Sequence, residues 1–317
     1  MHQSSPVRPS HHVVVTLAAL LVPRTAWAHP GHALAPHDLW SAWTLAPAVL
    51  AGLAIGGALY AWGVHILWRR AGHGRVVPPW RAAAFAGALA ALFVALISPL
   101  DAMGSVLFSA HMVQHLLLMM VAAPLMALSE PLMVTLWALP VRWRRAVGRA
   151  WVRAHRLRSA WTMTSRPGVA LLLHVLALWL WHLPLLYERA LRHEVVHVLE
   201  HASFFLTALL FWWVLGRRHG HRMHTGTAIA YLFAAALQST ILGALITMSR
   251  RPWYPSHFGT TQAWGFTPLE DQQLAGLLMW IPAGIVYLIP LVALLSRVLS
   301  AAQCPPPSRR SEATVGI

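Results

Sequence analysis

The 317-residue sequence has no lysine, a single cysteine and only nine acidic residues, set against 24 arginines. Charged residues make up 10% of the chain and hydrophobic ones 57%, whereas soluble domains carry about a quarter charged residues. So few charges cannot coat a water-facing surface, which excludes an ordinary soluble enzyme or binding domain. The lone Cys304 excludes an intrachain disulfide, a CxxC redox pair and a thiolate metal shuttle. Neither a Gly-rich phosphate loop nor a nucleophile elbow is present, so nothing points to nucleotide use. A net charge of +15 can signal nucleic acid, but here the arginines lie in blocks between apolar runs. Membrane topology accounts for that arrangement without a nucleic-acid partner.

What is present is a series of long apolar segments. Residues 1–28 read as a cleaved signal peptide: Arg8, an apolar stretch from Val13 to Val22, then Ala26-Trp27-Ala28 as the small-residue cleavage site. Cleavage makes His29 the mature N-terminus and sets it outside the cytoplasm. Residues 29–43 then form a histidine-containing extracytoplasmic segment, 44–299 the membrane domain, and 300–317 a Pro- and Arg-containing cytoplasmic tail. With about 20 apolar residues needed per helical span, seven segments qualify. They are Thr44–Trp68, Arg81–Leu100, Val106–Leu128, Pro167–Tyr187, Val195–Leu215, Thr225–Met248 and Leu274–Ser296. The predicted fold is all-α, an integral membrane bundle of about seven transmembrane helices, N-out and C-in, in a bacterial inner (plasma) membrane.

Charge tests this layout independently. The intervals assigned to the cytoplasm hold Arg69, Arg70, Arg75 and Arg81, then eight arginines between Arg142 and Arg166. Arg217, Arg218, Arg222, Arg297, Arg309 and Arg310 complete the set, eighteen in all. Only Arg189, Arg192, Arg250 and Arg251 fall outside, and seven of the acids lie at or beyond the outer boundary. Such a bias is hard to obtain with the wrong number of spans. Ser129 to Pro140 is apolar but bracketed by Pro124, Pro131 and Pro140, and reads as an interfacial turn. The stretch Arg142 to Arg166 reads as a basic juxtamembrane helix drawn to anionic lipid. Aromatic residues between Arg250 and Asp271 read as an interfacial anchor.

Twenty histidines populate the chain, and their spacing matters more than their number. His111 and His115 sit four apart near the outer end of the third span, so both rings project from one stripe. Met119 and Met126 continue that stripe, within roughly 80° of His111 at 3.6 residues per turn. The fifth span repeats the spacing with His193, His197 and His201, and Glu200 shares the face. His182 closes the fourth span, while Asp271 opens the seventh and Met279 lies two turns further in. One buried histidine is more often a hydrogen bonder than a ligand, and methionine at helical spacing is usually packing. Paired spacings at matching depth on several helices point instead to a metal site, since polar groups in lipid face the bundle interior. Imidazole with thioether suits copper, especially Cu(I).

Two further patterns compete. His193-Glu194-Val195-Val196-His197 is a literal HExxH, in which two histidines hold zinc and the glutamate activates water. No further protease signature accompanies it. The mature N-terminus, His29-Pro30-Gly31-His32, can chelate copper through its amine and ring, with Pro30 lacking the amide hydrogen needed for the backbone mode.

At these residues the chain resembles the CtaG family of cytochrome c oxidase assembly proteins, known from the caa-type oxidases. The likeness rests on His111-Met112-Val113-Gln114-His115-Leu116, Ala123-Pro124, Glu130-Pro131 and Trp181-His182-Leu183-Pro184. The stretches His197 to Phe204 and Asp271 to Trp280 extend it. The resemblance implies about seven spans and a role in building the copper site of an oxidase's catalytic subunit. It makes His111, His115, His197 and His201 the leading copper candidates, followed by His182, Asp271 and Met279. The expected function is copper handling without catalytic turnover, with transiently bound Cu(I). The expected partners are the catalytic subunit of a haem–copper oxidase, the bilayer and periplasmic copper donors. Copper transport or resistance, an intramembrane zinc protease and a haem-binding electron carrier are the rival readings.

Overall fold

Among the described residues seven α-helices begin on a proline, namely Pro47, Pro79, Pro99, Pro131, Pro167, Pro184 and Pro268. Proline lacks the N–H that would be orphaned in a first turn anyway, and its fixed φ is ready for the helix. The sequence thus marks most helix starts chemically. A computed structural model describes residues 34–217 and 223–303. The stretch expected to be a signal peptide with its cleavage site, His29, His32 and the end of the tail with Cys304 lie outside the described residues.

The described residues hold helices and no strand. In chain order α1 is Pro47–Ala71 and α2 Pro79–Leu96, followed after a short turn of helix by α3, Phe108–Ser129. Then come α4 Pro131–Ala138, α5 Val141–Arg153, α6 His155–Thr164, α7 Pro167–Trp181 and α8 Pro184–Arg192. The chain continues through α9 Glu194–Gly216 and α10 Thr225–Thr247 to α11 Pro268–Gln303. Six of these, α1, α2, α3, α9, α10 and α11, are long and apolar enough to cross a bilayer. A seventh crossing arises only if α6 and α7 count together across their 76° bend. The predicted fourth span, Pro167–Tyr187, ends early because the chain turns at His182 and Pro184 opens a new helix. Large apolar side chains such as Ile55, Trp62, Leu206, Phe233, Ile285 and Leu288 point outward. Such a surface belongs in lipid, and the chain is a multi-pass membrane protein.

Small residues bring the helices together. A Cβ on Gly243 would sit 2.8 Å from Cβ of Trp280 on α11, and one on Gly276 would collide with Thr247 Oγ1. Membrane helices associate through such close approaches. Gly276→Ala should therefore destabilise the α10–α11 pair by about 1–3 kcal/mol. A lowered melting midpoint in detergent checks this, and an unchanged one would contradict it.

The α4 helix packs on α1, where Gly63 leaves room for the Val134 carbonyl. Tyr60 donates to the carbonyls of Arg81 and Ser129 at 3.3 and 3.2 Å. Glu130 breaks α3 from α4 in the left-handed region, φ 48°, and is tied to Arg81 at 3.0 Å. The interfacial turn expected after the third span is therefore a sharp break followed by a two-turn helix. The arginine-rich stretch forms α5 and α6, neither with any buried residue.

Within α3, residues Leu117–Ala122 form a π-helical turn. The Ala123 amide bonds back to the Leu118 carbonyl, one residue further than in an α-helix. The Met119 carbonyl instead accepts from Trp212 Nε1 on α9 at 3.0 Å. The wider turn shifts the phase of everything after it. Met119 stays with the larger core, built from α3, α7, α9, α10 and α11, while Met126 packs toward α1 and α2.

Candidate metal centre

The site begins with how α3 starts. Both oxygens of the fully buried Asp271 are committed to its first turn: the Phe108 amide donates at 2.7 Å, the Ser109 amide at 3.1 Å and the Ser109 hydroxyl at 2.5 Å. A carboxylate on these orphan amides fixes where the helix begins and how it is rotated. His111 and His115 follow, one turn apart, both facing α9 with ring centroids 4.3 Å apart.

The α9 helix answers with His197, Glu200 and His201. Spacings of three and four residues put these side chains on one stripe. The Glu200 carboxylate lies between the two histidines of α3, 3.6 Å from His111 Nε2 and 3.7 Å from His115 Nε2. Those separations exceed hydrogen-bonding distance. His197 and His201 rings are 4.1 Å apart, and His111 stands 5.5 and 5.6 Å from them. One donor atom each from His111, His197, Glu200 and His201 lies within 4.8 Å of the others. Tetrahedral ligands held about 2.1 Å from an ion stand roughly 3.4 Å apart, so the set closes around one ion once its widest pairs draw in by up to about 1.4 Å.

The unsatisfied atoms make the stronger argument. Both nitrogens of His111 and of His115, both oxygens of Glu200 and Nε2 of His201 are buried with no hydrogen-bond partner. Buried polar groups are nearly always bonded, and each orphan costs about 1–3 kcal/mol. One nitrogen of each imidazole can turn toward a common centre with the Glu200 carboxylate, and such a set makes sense as a coordination shell. Imidazole and carboxylate donors accept copper or zinc.

Other predicted residues take different places. His182 lies behind His115, ring centroids 6.2 Å apart, and Met119 and Met279 line the small cavity beyond it. Asp271, expected among the ligands, holds the α3 terminus instead. His193 caps α9 in an extended conformation and is exposed, as is Glu194. The HExxH pattern is thus split, with its glutamate pointing to the surface and only His197 in the cluster. Glu200, on the face the histidine spacing marks, completes the site.

Sequence reasoning missed the roof. The Tyr187 hydroxyl on α8 is hydrogen-bonded with His257 Nε2 at 2.8 Å, and its ring stands 5.2 Å edge-on to His111. Tyr254 donates to the His182 carbonyl at 2.9 Å. Glu188 accepts from the amide and hydroxyl of Ser256, latching the segment between α10 and α11 over the cluster. Burial draws the Glu188 carboxyl upward, but Ser256 and Arg192 outweigh it and hold the group below the usual carboxylate range. Burial pulls the His257 imidazole below its ordinary 6.5. A proton on His257 therefore disfavours the folded roof. Its stabilising contribution is intact above the unfolded value, about 6.5, and fades as pH falls through the lower folded one. The stability difference between wild type and His257→Gln should shrink on acidification from pH 7 to 5. A difference independent of pH would contradict that.

An uncharacterized protein of Mycobacterium tuberculosis (strain CDC 1551 / Oshkosh) is 29% identical over 250 residues, 77% of this chain and 37% of the relative. One from Mycobacterium bovis matches to the same extent. An uncharacterized protein of Mycobacterium leprae is 26% identical over 234 residues, 72% of this chain and 35% of the relative. The chain thus spans little more than a third of the length of these curated relatives. No solved structure matches it. Residues 58–301, which take in every helix of the histidine cluster, match the family described as cytochrome c oxidase caa3 assembly factor (Caa3_CtaG), and the chain belongs to that family.

Proposed function

We propose that the chain captures copper at His111, His115, His197, Glu200 and His201 and hands it to the catalytic subunit of a haem–copper oxidase. Family membership supports an oxidase assembly role in general. The single observation that carries the copper step is the set of buried, partnerless imidazole and carboxylate atoms from α3 and α9. With the arginine distribution read as positive-inside, this end of the bundle is the outer side in our reading, where periplasmic donors would deliver the ion. His197 is the one member of the four-residue cluster that is not fully buried, and it is the point of entry and exit. Ligand exchange through one partly open position fits transfer better than permanent storage.

The exposed Glu194 argues against proteolysis, since a water-activating glutamate must face the metal. Glu194→Gln should leave oxidase assembly intact. Transport would need ligands continuing to the opposite end of the bundle, and the inner halves of the spans are poor in them.

Two measurements test the proposal. Purified His111→Ala/His115→Ala should lose at least half of the copper bound by wild type. A strain lacking the gene should build oxidase deficient in copper, partly rescued by added copper. Full copper occupancy of the oxidase in that strain would overturn the proposal.

A further inference from the structure

Behind the histidine cluster lies a second cavity, lined by Met112, Met119, Met120 and Met279 together with His115 and His182. The space open to the centre of a water-sized sphere is about 10 Å³, room for one small occupant and no organic molecule. All four thioethers are buried.

The chemistry of His182 says what that occupant is. Its Nδ1 lies 2.6 Å from the Leu178 carbonyl, one turn back on α7. A carbonyl oxygen only accepts, so Nδ1 carries the hydrogen and Nε2 of the neutral ring presents a lone pair. That lone pair points at Met112 Sδ, 3.3 Å away. A thioether has no hydrogen to donate, so two electron pairs face each other in a buried space that His174, Ser239 and Tyr287 also line. A ring protonated on both nitrogens would instead bury a full charge among apolar groups. An electrophile between them resolves the conflict. Thioether and imidazole select a soft, monovalent ion.

We infer that His182 and Met112, with Met279 and Met119 beside them, form a second site for Cu(I), distinct from the histidine–carboxylate cluster. His115 belongs to both: its ring is 5.3 Å from His201 on one side and 6.2 Å from His182 on the other. An ion can thus pass from the cluster into the thioether cavity by exchanging ligands around one shared imidazole. The inference rests on the copper reading for the identity of the ion, while its geometry stands apart from it. The cluster accepts copper or zinc, and the inner site rejects zinc.

The test uses the full chain in detergent, titrated with Cu(I) against a chromophoric chelator and, separately, with Zn(II). Wild type should bind two equivalents of Cu(I) but one of Zn(II), with copper–sulfur scattering in its X-ray absorption spectrum. Met112→Leu/Met279→Leu keeps side-chain volume and should lose one Cu(I) equivalent and the sulfur scattering while keeping Zn(II). His111→Ala/His197→Ala should do the reverse, losing Zn(II) and keeping copper–sulfur scattering. Absence of sulfur scattering from Cu(I)-loaded wild type would overturn the inner site whether or not the variants fold. Loss of all metal binding in the thioether variant, with wild-type helicity and melting, would equally overturn it, since the two sites would then be one. Copper–sulfur scattering with no effect of the histidine changes on either metal would instead sink the cluster and leave the inner site standing.

Discussion

Asp271→Ala should destabilise the protein by about 3 kcal/mol and abolish high-affinity metal binding, although Asp271 touches no metal-binding group. Its carboxylate is the partner of two backbone amides and a hydroxyl at the buried start of α3. Losing a helix N-cap costs about 0.5–2 kcal/mol, and each buried amide left bare adds about 1–3 kcal/mol. The second effect follows from position: His111 is three residues beyond Phe108, so a frayed first turn displaces the first imidazole directly. Asp271→Asn, which can still accept but lacks the charge, should recover part of both losses. Thermal melting and a metal titration on the two variants check this. Metal affinity unchanged in Asp271→Ala would show that α3 holds its histidines without the cap.

Glu200→Gln should separate the needs of the metal from those of the fold. In the bundle interior an unpaired carboxylate costs several kcal/mol, and both oxygens of Glu200 lack partners. Glutamine has nearly the same shape and no charge. The metal-free variant should therefore melt no lower than wild type. Its copper affinity should fall at least about tenfold, because the ion loses the one anionic donor beside it. The opposite pattern, a less stable chain with undiminished affinity, would make Glu200 a structural hydrogen bonder.

Much of this was legible in the sequence because its rules are local. Apolar length marked the spans, proline marked the helix starts, and the four-residue spacings of His111 with His115 and of His197 with His201 placed both pairs on facing stripes. The fourth span was overextended although Pro184 stood within it, so that error was visible in principle. Other features were not local. The π turn at Leu117–Ala122 has no simple sequence signal, and it moved Met126 away from the stripe that an even 3.6-residue period assigned to it. The thioethers that line the cavity include Met112 and Met120, which that period did not single out. Asp271 looked like a ligand because an acid in a membrane helix usually serves function. Its true partner is the end of another helix, a relation only tertiary structure reveals. Glu200 was on the right face from the start, but its place between His111 and His115 depends on how α3 and α9 meet.

The claim on which the rest depends is that α3 and α9 share one ion. Copper content of purified His111→Ala, His197→Ala and the pair together, each change on a different helix, tests it most directly. One ion held across the two helices means that either single change lowers copper affinity at least about tenfold and the double change adds less than their sum. Independent, additive effects, or copper content in the double variant equal to wild type, would contradict it.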